Sequence, residues 1–135
     1  MRYLPEESLG ALRSADAALL PLGLADRAVR VLAPAALEGS GHPEAASRIR
    51  ALPPLESPDD GRATMPALER IARATAAPSD LIRFASQVAG AAIRLGMPGG
   101  AEQGEVQLLA AVVRLAHASV RAGVAPGEVV QLLAG

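Results

Sequence analysis

A chain of 135 residues, half of them apolar and a fifth charged, is long enough to bury a core and too apolar to be disordered. Its charges nearly cancel, at −1, so no strongly basic or acidic surface is implied. It has no cysteine, which excludes disulfides, thiol catalysis and cysteine-ligated zinc or iron–sulfur centres.

Every periodic segment has helical spacing, and no β-branched alternation reads as a strand. Pro5, Glu6 and Glu7 open a first helix. Its Leu9, Leu12, Ala15 and Leu19 recur up to a break at Pro21-Leu22-Gly23. A second helix runs from about Leu24 to Ala33, with Ala25, Ala28, Val29 and Leu32 inward, and Pro34 ends it. Pro43 opens a short helix to about Leu52, in which Glu44 and Arg48 are spaced as an i,i+4 pair. Residues 53–63, PPLESPDDGRA, read as an exposed linker between an N-terminal helical half and a C-terminal four-helix half. Thr64 is the expected N-cap of a helix to about Ala77, with Leu68 and Ile71 inward. Ser79 is the expected cap of the next, which runs to Leu95. A long helix at 101–122 and a short C-terminal one complete the set.

The expected fold is therefore all-α, a single-domain bundle of about six or seven short helices over residues 1–135. The helix near 101–122 should be central. Its Leu108, Leu109, Val112, Val113, Leu115, Ala116 and Val120 cover more than half its circumference, which calls for neighbours on several sides.

Two features on these helices could make contacts. Ala85, Ala89, Gly90 and Ala92 form a small-residue patch where another helix, including one from a second copy, could approach closely. Gln103, Gln107, Arg114, His117 and Arg121 share a polar stripe on helix 101–122, a docking surface for a protein partner.

The end of the chain, RAGVAPGEVVQLLAG, has a helix-turn-helix cadence. With Gly123 as turn glycine, Ala118 and Ser119 at the crossing and Val124, Val129 and Leu132 in the core, it resembles the corresponding part of lactose-repressor-type bacterial regulators. The resemblance covers about 20 residues and implies DNA reading. The residue chemistry points the other way. Of the would-be reading residues only Gln131 is a good base-edge donor, and Glu128 would face phosphate.

Other chemistry is sparse. A phosphotransfer domain working through His117 would carry a lysine and a glycine where Val120 and Arg121 stand. His42, in GSGHPE, precedes a helix without the Lys-Ser/Thr pair of a phosphate loop. Two histidines 75 positions apart supply no metal motif. Tyr3 and Phe84 are the only aromatics, too few for stacking on bases or flat cofactors. No cofactor, metal or catalytic residue is expected. The start lacks an apolar signal region, and VQLLAAVVRLAHASV is too short and too interrupted to span a bilayer, so a cytoplasmic protein is expected. All 13 basic residues are arginine, which fits a GC-rich, bacterial coding sequence.

The resulting expectation is a non-catalytic helical protein–protein interaction or adaptor module that self-associates as a homodimer. A DNA-associated regulator using the corner at 115–134 is the first alternative, and phosphotransfer or enzymatic work through His117 the second.

Overall fold

A computed structural model describes residues 21–135; the helix expected from Pro5 to Leu19 lies outside them. The described residues form an all-α bundle of six helices without strands. The first, α1, covers residues 21–39. Pro21, Leu22 and Gly23, expected as a break, are helical, and Pro34, expected as a stop, lies inside α1. The backbone of Ala28–Leu32 is π-helical, and the Ala33 N–H reaches back five residues to the Ala28 carbonyl. In a regular α-helix the Pro34 ring would press on the carbonyl of Arg30. The wider π turn makes room for it and keeps Ala28, Val29, Leu32, Ala33 and Pro34 buried.

Helix α2, Pro43–Arg50, buries Ala45, Ala46 and Ile49. The 53–63 segment, expected as an exposed linker, keeps Pro53, Pro54, Glu56, Asp59, Arg62 and Ala63 exposed but is anchored at Leu55. Leu55 is buried, and its N–H donates to Asp26 Oδ1 at 2.8 Å. A 3-10 turn, Pro58–Asp60, leads straight into α3, Gly61–Thr75. Ser57 and Asp60 form a capping box, with the Asp60 carboxylate accepting from the Glu56 and Ser57 N–H groups at 2.8 and 2.9 Å. Thr64 is therefore not the cap. It is buried one turn inside α3, and its hydroxyl donates to the Asp60 carbonyl.

Helix α3 ends at Ala76, whose φ is 51°. The strain of a left-handed alanine, about 1–2 kcal/mol, exceeds the roughly 0.4–1 kcal/mol that glycine's freedom in the unfolded chain costs. Ala76→Gly should thus stabilise slightly, by about 0.5 kcal/mol. The check is a higher urea midpoint at unchanged slope.

Helices α4, Ser79–Leu95, and α5, Ala101–Arg121, form the most extensive contact of the bundle. They run antiparallel, since Gly104 lies against Arg94 and Leu95 while Arg114 reaches Gln87. Ser79 makes no side-chain cap bond, and Pro78 is the capping residue. Helix α6, Pro126–Ala134, folds back on α1, where Arg27 Nε donates to the Leu133 carbonyl at 2.6 Å. The buried apolar residues form one cluster drawn from all six helices. Helix α5 is not the enclosed centre expected. Leu108, Val112 and Leu115 are buried, but Leu109, Val113 and Val120 are exposed. Only one side of α5 has neighbours among the described residues. No described helix is long and apolar enough to cross a membrane.

Candidate functional site

Close helix approach is provided by glycines other than Gly90. A Cβ on Gly61 would collide with the Ala89 carbonyl oxygen and lie 2.8 Å from Ile93 Cγ1. One on Gly104 would lie 3.0 Å from the backbone of Arg94 and Leu95. The small-residue patch is thus a crossing within one chain. Ala85, Ala89 and Ala92 are fully buried, which corrects their assignment as a face for a second copy. Gly90 alone reaches the surface, where only the flexible tip of Met65 stands near it.

Gly90 lies in a cleft of about 430 Å³ between α4 and α5, roofed on one side by Met65 of α3. The floor is Gly90, Ala91 and Ala111, whose lack of bulk leaves the space open. Arg83, Arg94 and Arg114 surround it, and no carboxylate lines it. Arg114 Nη1 donates to Gln87 Oε1 at 3.3 Å, which ties the two helices across the cleft. Arg83 makes an exposed contact with Asp80 at 3.3 Å, a pairing that water weakens strongly, and its guanidinium lies 5.3 Å over the Phe84 ring. Arg94 and Arg114 have no carboxylate partner among the described residues. Gln107 also lines the cleft, and its Oε1 is buried without a donor. An acceptor left so costs about 1–3 kcal/mol.

The polar stripe is therefore divided. Gln107 and Arg114 belong to the cleft, whereas Gln103, His117 and Arg121 are exposed on α5 and do not line it. Arg83 and Arg94 lie on a part of α4 whose sequence pattern says only that they face outward. Their meeting with Arg114 depends on the antiparallel pairing of α4 and α5, which no local signal contains.

Beside the polar residues runs a second stripe. Val106, Leu109, Val113 and Val120 are 63%, 49%, 52% and 39% exposed, and their spacings of three, four and seven place them on one line of α5. Glu102 and Glu105 stand at its N-terminal end, His117 and Arg121 at its C-terminal end.

The C-terminal corner is built as a helix stop. Gly123, at φ 109°, donates to the Val120 carbonyl, and the Val124 N–H donates to that of Ser119, a Schellman motif that buries Val124. Ser119 is also buried, and its hydroxyl donates to the Leu115 carbonyl. Val129 is the buried anchor of α6, and Glu128, Val130 and Gln131 face outward. His42 precedes α2 without a side-chain capping bond, and its N–H donates to the Leu37 carbonyl. Among the described residues, no three His, Asp or Glu side chains are grouped as a metal site.

No protein-family model, curated protein or solved structure matches the chain.

Proposed function

We propose that this protein is a non-catalytic protein–protein interaction module that docks an amphipathic helix on the apolar stripe of α5. The observation that carries the reading is the stripe itself. Val106, Leu109, Val113 and Val120 are large, aligned and exposed on a helix whose other side is firmly packed. Apolar side chains gathered on one exposed line mark an interaction surface, whereas scattered ones do not.

The charge pattern favours a second copy of α5 as occupant. Antiparallel packing centred on Val113 sets Val106 of one copy against Val120 of the other. It also brings the acidic end of each stripe, Glu102 and Glu105, to the basic end of the other, His117 and Arg121. Parallel packing would stack like charges. Self-association thus rests on different residues from the alanine patch.

Neither alternative has comparable support. Helix α6 has no basic residue of its own for phosphate, and His117 stands exposed with no hydrogen-bonded side chain to prepare it for transfer.

Sedimentation over a concentration series tests the reading. The wild-type chain is expected to dimerise. Val113→Arg should weaken association about tenfold or more with unchanged helicity, because the position is already exposed. A Val113→Arg chain as dimeric as wild type would refute the stripe as the contact. A wild-type chain that is monomeric throughout would remove the second copy as occupant.

A further inference from the structure

We propose that the α4–α5 cleft is a binding site for a small organic phosphate. The site is independent of the apolar stripe. Three arginines, Arg83, Arg94 and Arg114, line one concavity that no carboxylate lines. In a chain of net charge −1, such a local excess of positive charge is not a reflection of overall composition. Guanidinium groups are planar, always charged, and matched in geometry to phosphate oxygens. Arg94 and Arg114, without carboxylate partners among the described residues, have N–H groups to offer a ligand.

The size and the neutral groups extend the assignment beyond a bare anion. A volume of about 430 Å³ lies at the lower end of the range for small-molecule sites, larger than one phosphate group requires. Its floor is backbone and methyl groups at Gly90, Ala91 and Ala111, a flat surface on which a compact carbon skeleton can lie. Gln107 stands beside the arginines in the lining. Its amide oxygen is closed off from solvent and lacks a donor.

Gly90 has its reason here. A larger residue would not break a helix crossing, since only the Met65 tip is near, but it would fill the cleft.

The test is a titration of the full chain followed by the backbone amide resonances of Gly90, Ala91 and Gln107. Ribose 5-phosphate, inorganic phosphate and ribose serve as probes. Ribose 5-phosphate is expected to give saturable shifts that weaken as salt rises, at lower concentration than inorganic phosphate. Ribose alone should give none. Arg94→Gln and Arg114→Gln should each weaken binding about tenfold. Arg73→Gln, on the exposed side of α3, should not. Gly90→Leu should block binding with every charge retained; the arginine variants, at exposed positions, carry the test whether or not it folds. The proposal is overturned if none of the three resonances shifts up to about 10 mM ribose 5-phosphate. It is equally overturned if the shifts survive in the Arg94→Gln, Arg114→Gln double variant, or if ribose produces them as well.

Discussion

Gly61→Val is expected to lower stability by about 3 kcal/mol or more, a fall of roughly 10 °C in melting temperature. The first residue of α3 sits directly against α4. Any Cβ there meets the carbonyl oxygen of Ala89, and the methyl groups of valine would press further toward Ile93. Backbone atoms of a packed helix cannot swing aside as a side chain can, so α3 must lift from α4 or the crossing must open. Gly90→Ala is the matched control. Its new methyl would have only Met65 Sδ and Cε nearby, both at 3.5 Å, and alanine favours a helix interior by about 1 kcal/mol over glycine. That variant should melt at or above the wild-type temperature. Thermal unfolding followed by far-ultraviolet circular dichroism measures both. A Gly61→Val protein as stable as wild type would disprove the close crossing.

Asp26→Ala is expected to cost about 2 kcal/mol, through two partners left without an acceptor. One is Arg30, whose Nε and Nη2 reach the carboxylate at 2.6 and 2.8 Å. The other is the Leu55 N–H, at 2.8 Å on a buried residue. The same carboxylate has a pH signature. Burial raises its pKa, but the hydrogen bonds from Arg30 and Leu55, with the charges of Arg30 and Arg27, outweigh burial and leave it below its ordinary 3.8. A folded-state pKa below the unfolded one means the contribution is complete above about pH 5 and is lost as pH falls through the folded value. Asp60, held low by the N–H groups of Glu56 and Ser57, adds to the same acid window. Urea unfolding from about pH 6 down to about pH 2 should therefore show a shallower acid loss in Asp26→Asn than in wild type. Identical acid slopes would remove Asp26 from the account.

The long helices were legible in the sequence because their inward residues keep one phase over many turns. Leu81, Ile82, Ala85, Val88, Ala89 and Ala92 are buried in α4, as their spacing requires. Errors fell where a local rule met a tertiary exception. Pro34 reads as a stop, but a π turn accommodates it. Ser57, Pro58, Asp59 and Asp60 have the composition of a linker and also the spacing of a capping box, and only the second reading accounts for Asp60. Leu55, one apolar residue among prolines and acids, carries no periodicity, yet it docks on α1 through Asp26. For the proposed binding surfaces the limit is different in kind. The polar stripe of α5 contributed Gln107 and Arg114 to the cleft, but Arg83 and Arg94 join them only through the pairing of two helices. Likewise Leu109, Val113 and Val120 carry the same apolar signal as Leu108 and Val112. Whether such a residue is core or contact depends on how many neighbours the chain can bring to that side.

The π turn in α1 also sets a length constraint. A π turn holds one residue more than the α-helical turn it replaces. Deleting a single residue between Ala28 and Leu32 would let the helix close into regular α register with the residues before it still in phase, because the residue removed is the one the wide turn absorbs. Leu22 and Ala25 would keep their buried face, but Pro34 would meet the carbonyl that the wide turn avoids. Along α1, then, the extra residue and Pro34 are tied to each other. Losing the extra residue alone sets a proline against a carbonyl in the helix interior, whereas losing it together with the proline leaves an ordinary α-helix with the same face inward.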